Sequence, residues 1–128
     1  MKTYSLSNLI TIKRIISTGI IMFMISVFTS CQEPADIRIQ NNISQVKITS
    51  VRWGEIYMAY ELLPGTTSDK IRINPIDMKL PASQKVSFVM ESNGKSIYLE
   101  TNEIYALDEG EDKLIVIDDS TKVYNPNQ

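Results

Sequence analysis

From Ile37 onward the apolar residues of this 128-residue chain recur with a period of two rather than 3.6. Successive side chains of an extended strand point to opposite faces, so the alternation marks half-buried strands and leaves little room for an amphipathic helix. Ile37 and Ile39 alternate with Arg38 and Gln40, and Val46 and Ile48 with Lys47 and Thr49, after which Val51 and Trp53 take the opposite phase. A bulge near Ser50 reconciles the two phases. Gly54 permits a tight reversal into Glu55 to Leu63, where Ile56, Met58, Tyr60 and Leu62 are expected on one face. Pro64-Gly65 then closes that strand as a type II turn, because proline presets the first turn angle and glycine accepts the positive φ of the second.

Ile71 and Ile73 alternate with Lys70, Arg72 and Asn74. In Pro75 to Pro81 the alternation of Ile76, Met78 and Leu80 between two prolines predicts an edge or sheet-switching strand. Ser92-Asn93-Gly94-Lys95 is the sharpest local signal, since an Asn-Gly pair between alternating runs fits a type I′ hairpin turn. It joins Val86, Phe88 and Met90 to Ile97 and Leu99. Tyr105 and Leu107 lead through a turn-like acidic stretch into Leu114 to Ile117, which is apolar on both faces and therefore expected at the centre of a sheet. Roughly seven to nine short strands, with turn signals every eight to twelve residues or so, predict an all-β domain. The expected form is a Greek-key β-sandwich of immunoglobulin-like architecture, with a small β-barrel as the alternative.

The first thirty residues are built differently. Lys2, Lys13 and Arg14 precede an uncharged run from Ile15 to Phe28, and no acid occurs before Glu33. A basic stretch followed by an apolar one is the order of a secretory signal peptide, and the run is shorter than the roughly 20 residues of a transmembrane helix. A buried core helix would need a polar face, yet residues 19 to 25 are apolar all round. The run ends in Phe28-Thr29-Ser30-Cys31, and Cys31 is the single cysteine of the chain.

Those four residues resemble the lipobox of bacterial lipoproteins, in which an apolar residue and two small ones precede a cysteine that is lipidated and becomes the mature N-terminus. Phe28 stands where that family usually carries Leu, Val or Ile. The resemblance implies a signal-peptide helix over 1–30 and a lipidated linker over 31–36, ahead of the β-sandwich domain that the alternation predicts over 37–128. It also implies a diacylglycerol thioether on Cys31 and an acyl chain on its new amine, together enough for stable membrane anchoring. Gln32 is not the aspartate that resembles an inner-membrane retention signal, so the implied location is the outer membrane of the cell envelope, facing the periplasm or the surface. The mature chain, with Asn41-Asn42-Ile43-Ser44, Val51-Arg52-Trp53-Gly54 and Leu63-Pro64-Gly65-Thr66-Thr67-Ser68, is similar to small envelope lipoproteins of Gram-negative gut bacteria. That similarity carries no activity with it.

Charge and composition narrow the function. From Cys31 onward ten basic residues face fifteen acidic ones, a net charge of −5, and the cations are scattered. Nucleic acid is disfavoured as a partner, because phosphate binding needs a clustered basic face. Histidine is absent, which removes Ser-His-Asp and Cys-His nucleophiles and His-based zinc sites, and one cysteine removes CxxC chemistry and an internal disulfide. No cofactor is expected. Asp108, Glu109, Glu111 and Asp112 could offer oxygens to calcium from one loop, but without EF-hand spacing; the competing reading is a solvated hairpin tip.

Trp53, Tyr57, Tyr60, Tyr98, Tyr105 and Tyr124 are the remaining resource. The alternation turns Tyr60 inward and Tyr57 and Tyr98 outward. If Trp53 joins them on one open sheet face, the three form a platform for a glycan or an envelope protein. The expectation is a membrane-anchored, non-enzymatic binding module. The alternatives are an accessory structural subunit of an outer-membrane complex and a small carboxylate-dependent hydrolase, the latter requiring two acids in one cleft.

Overall fold

The computed structural model describes residues 32–128; the expected signal peptide over 1–30 and the expected lipidation at Cys31 fall outside the described residues. Glu33–Gln128 form a compact unit. Its strands are β1 (Ala35–Asn42), β2 (Lys47–Trp53), β3 (Ile56–Leu62), β4 (Ile71–Ile73), β5 (Ala82–Gln84), β6 (Val86–Ser92), β7 (Lys95–Thr101), β8 (Tyr105–Leu107), β9 (Asp112–Asp118) and β10 (Val123–Tyr124). Among the described residues there is no helix. A three-stranded sheet of order β4-β1-β9 and a five-stranded sheet of order β10-β7-β6-β2-β3 enclose the core, and β5 and β8 form a short ribbon. Both main sheets end in free edges, so the chain is an open all-β sandwich and not the closed barrel that was the alternative.

Local chemistry shapes the turns as the alternation requires. Asn93 and Gly94 both take positive φ, 52° and 72°, which is the backbone of the type I′ turn joining β6 to β7. Gly65 sits at φ 80° and the Thr66 amide donates to the Leu63 carbonyl at 3.0 Å, closing the type II turn after β3. The core is a single cluster. Ile37 and Ile39 of β1, Ile73 of β4 and Ile115 and Ile117 of β9 pack against Ile48, Val51, Trp53, Val86 and Phe88 of the larger sheet. Each fully buried side chain of this size contributes about 1.5–3 kcal/mol.

Buried polar groups stitch the ends. Asn41 is fully buried: its Nδ2 donates to the carbonyls of Val46 (2.8 Å) and Leu62 (2.9 Å), and its Oδ1 accepts from the Ile43 amide (3.1 Å). Before β4, the chain from Thr66 to Ser68 already runs along the same side of β1, with the Ser68 amide donating to the Ile39 carbonyl and the Ile39 amide to the Ser68 hydroxyl.

Four expectations are corrected. The bulge near Ser50 is present, with Ser50 at φ 50° and the register against β6 shifting between Thr49 and Arg52. It propagates further than the alternation suggests. The β2–β3 register also shifts, between Val51 and Arg52, so Ala59 and Met58 both turn toward the core while Tyr60, between the Thr49–Glu61 and Val51–Ala59 pairs, swings out to 75% exposure. Pro75 to Pro81 is not a strand. The Asn74 carbonyl captures the amides of both Asp77 and Met78, curling the segment into a turn that leaves Ile76 97% exposed.

Nor is Leu114 to Ile117 central. Among the described residues β9 is an edge strand paired with β1 alone, in parallel, and Leu114 and Val116 face outward from a sheet covered on one side. The central strand is β1. It also begins at Ala35 rather than after residue 36, because Ala35 and Asp36 pair with Ile73 and Arg72, shortening the segment read as a linker.

Candidate binding site on the open sheet face

The outward face of the five-stranded sheet is bare among the described residues. Strand register lines up Tyr57 on β3, Arg52 on β2, Ser87 on β6, Glu100 on β7 and Tyr124 on β10 in one row across it. The neighbouring row carries Glu61, Thr49, Val89 and Tyr98. Tyr98 and Glu100 share this face because they lie two residues apart on one strand.

Two tyrosine hydroxyls converge on the Glu100 carboxylate, and a lysine reaches one of them. The Tyr124 hydroxyl donates to Oε2 at 2.6 Å and the Tyr98 hydroxyl to Oε1 at 3.3 Å. Lys85, just before β6, donates from Nζ to the Tyr124 hydroxyl at 2.9 Å, with Nζ 4.7 Å from the ring centroid. That hydrogen bond to Tyr124 is the main reason the Lys85 ammonium is held above the ordinary lysine value, although burial opposes it slightly. Tyr98 and Tyr124 are each 37% exposed, and a shallow depression of about 260 Å³ runs between Gly54, Gln84, Ser87 and the Tyr98–Glu100 pair. The depression presents the Tyr98 ring, the Glu100 carboxylate and the Lys85 ammonium on one concave surface, with Tyr124 hydrogen-bonded to both charged groups beside it. Ring faces stack on apolar surfaces, and the charged pair hydrogen-bonds to hydroxyls.

The structure distributes the expected site residues as follows. Tyr57 is outward and 47% exposed, with the Arg52 guanidinium 5.8 Å from its ring centroid. Tyr98 is outward. Trp53 is not: it is fully buried on the inner face, its Nε1 donating to the Tyr105 carbonyl at 3.2 Å, because the bulge that flips the phase of β2 turns Trp53 inward together with Val51. Tyr57 and Tyr98 stand three strands apart, about 14 Å at ordinary strand spacing, so they do not grip one sugar ring. Alternation pointed to Tyr98 but not to its partners. The same-face spacing of Glu100 was readable; the approach of Tyr124 and Lys85 depends on pairing distant in sequence.

The acidic loop is a turn tip in which Glu111 and Asp112 are engaged by neighbouring groups. Asp112 accepts from Lys70 at 3.0 Å and Arg38 at 3.3 Å, and the Lys70 contact above all holds its carboxyl below the ordinary aspartate value. Glu111 accepts from the Asp108 amide at 2.8 Å, which lowers its pKa, and from Lys113 at 3.3 Å. Asp108 and Glu109 lie exposed in the turn. Among the described residues no three acidic, cysteine or histidine side chains converge on a common point.

A depression of about 380 Å³ brings Glu103 and Asp118 to one concave surface. Asp118 there accepts hydrogen bonds from the Ser120 amide and from the Ser120 and Thr121 hydroxyls, and the Ser120 hydroxyl does most to lower its pKa. Such a carboxyl favours the ionised form and so is a poor general acid.

Fold and site define an all-β sandwich with an aromatic and charged patch on an open sheet face. Comparison of the chain with protein-family models, with curated proteins and with solved structures gives no match.

Proposed function

We propose that this protein is a lipid-anchored, non-enzymatic binding module of the bacterial cell envelope, whose open sheet face takes a glycan on Tyr98, Tyr124, Glu100 and Lys85. The observation that supports it is the convergence of two exposed tyrosines on the two oxygens of one carboxylate, beside a lysine, on a sheet face that no other element covers among the described residues. A sugar ring offers an apolar face for stacking and hydroxyls for the carboxylate and ammonium. The anchor rests on the Phe28-Thr29-Ser30-Cys31 sequence, and the outer membrane is the compartment that Gln32 favours.

Two experiments test the two halves. Labelling cells with a clickable fatty acid should mark the native chain and leave Cys31→Ala unlabelled; label retained in that variant refutes the anchor. Screening the purified protein on envelope and host glycans should give a binder whose affinity falls roughly tenfold in Tyr124→Ala, the scale of one aromatic contact. Equal binding by Tyr98→Ala and Tyr124→Ala refutes the platform.

A further inference from the structure

The second strand of the hairpin, β7, is paired on its outer side only at its end. β10 meets it antiparallel through Val123–Thr101 and Tyr124–Glu100. The chain then breaks away: the Asn127 amide donates to Asn125 Oδ1 at 2.9 Å and the Gln128 amide to the Asn125 carbonyl at 3.3 Å, a turn through Pro126, which has no amide proton to offer. From Lys95 to Leu99 the outer edge of β7 therefore has no strand beside it among the described residues. An open edge is a row of unpaired amides and carbonyls.

The side chains along this edge alternate in a way that suits an added strand. On the inner face Ile97 is 42% exposed, opposite Met90 of β6. Beside it opens a cleft of about 190 Å³ with Phe88 and Ile117 at its floor and Met90, Leu99, Ile43 and Val123 on its walls. An apolar floor and walls around about 190 Å³ suit a single protein side chain. Asp118 and Asp119 line the mouth.

We propose that the edge of β7 from Lys95 to Leu99 is a strand-docking site for an extended, basic segment of another protein, added antiparallel to β7 as a continuation of β10. Main-chain hydrogen bonds supply affinity, and alternate apolar side chains entering the cleft supply selectivity. Two features on the page choose this occupant. The pairing begun by β10 continues in the same line, so the sheet extends without rearrangement. The acids at the cleft mouth, on a domain of net charge −5, attract a basic strand and disfavour a second copy, which would bring two like-charged domains edge to edge. The proposal rests on neither the lipid anchor nor the glycan reading, and it shares Tyr98 of β7 with the latter.

The test is fluorescence anisotropy of the full chain in detergent with a labelled peptide, acetyl-Lys-Val-Thr-Val-Lys-Val-Thr. Two isomers methylated on three backbone nitrogens each, one at the three valines and one at the second lysine and the two threonines, complete the set. Saturable binding is expected, with one isomer losing at least about tenfold and the other retaining affinity, because a docked strand uses the amides of one side only. Ile97→Asp should weaken binding at least about tenfold while Tyr57→Ala, on the far edge of the sheet, leaves it unchanged. No saturable binding at millimolar peptide, or equal affinity of both isomers, overturns the proposal. So does a concentration-dependent dimer of the full chain that Ile97→Asp abolishes, since the occupant is then a second copy. The methylated isomers are read on the unmodified protein, so the outcome does not depend on how the variant folds.

Discussion

Replacing Asn41 by leucine should be among the most damaging single changes outside the apolar core. The side chain is fully buried at the end of β1 and ties three segments together, through the Val46 and Leu62 carbonyls and the Ile43 amide. Leucine is close in size, so the loss is chiefly of hydrogen bonding. The Leu62 carbonyl lies in the interior, and leaving it without a donor costs about 1–3 kcal/mol; the other two contacts are partly buried and cost about 0.5–1.5 kcal/mol each. Together the expected loss is about 2–6 kcal/mol, a large share of the roughly 5–15 kcal/mol that holds a domain together.

With a urea m-value of about 1.5 kcal/mol/M for a domain of this size, the unfolding midpoint should fall by about 1–4 M with m unchanged. Asn41→Asp sharpens the argument. It keeps the acceptor for Ile43 but turns a carboxylate oxygen toward two carbonyls, so its stability relative to wild type should improve as pH falls and the carboxyl protonates. A midpoint shift in Asn41→Leu smaller than about 0.3 M would show that water or local relaxation satisfies the freed groups, and the reasoning from burial would be refuted.

Three further outcomes follow from the same structure. Trp53 is the single tryptophan and is fully buried, so the emission of the folded protein should be blue-shifted and resist acrylamide quenching; red-shifted, easily quenched emission would return Trp53 to the surface. Asp112, Asp118 and Asp119 have pKa values lowered first by hydrogen bonds from Lys70, Ser120 and Ser44 respectively. Because the folded values lie below the unfolded one of about 4, their stabilisation is present above that pH and is lost as pH falls through the folded values. Urea midpoints measured from pH 6 downward should drop less steeply in Asp119→Asn, and an identical slope would discount the Ser44 contact. Gly54→Ala should lower the urea midpoint, since Gly54 sits at φ 57° and an added Cβ would lie 2.8 Å from the Gln84 side chain; an unchanged midpoint would mean that both backbone and Gln84 yield freely.

What the amino-acid order determines by itself is local. Alternation of apolar and polar residues is enough to make Ile37, Ile39, Val86 and Phe88 strand residues with one buried face, because the pleat sends successive side chains to opposite sides. Asn93-Gly94 and Pro64-Gly65 dictate their turns through the φ values those residues tolerate, and the phase change around Ser50 announces a bulge. Which face is covered is a different matter. Leu114 and Val116 are as apolar as Ile115 and Ile117, yet they face outward because only one layer packs on that sheet, and the position of a layer is a property of the whole fold. Tyr60 turned out because a bulge in β2 shifts the register of its neighbour, and Trp53 turned in for the same reason. The gathering of Tyr98, Glu100, Tyr124 and Lys85 depends on pairings between strands far apart in sequence. Asn41 reads as an ordinary polar strand residue until the ends of β1 and β3 and the start of β2 close around it. Only tertiary packing, by removing water from those groups, makes their hydrogen bonds decisive.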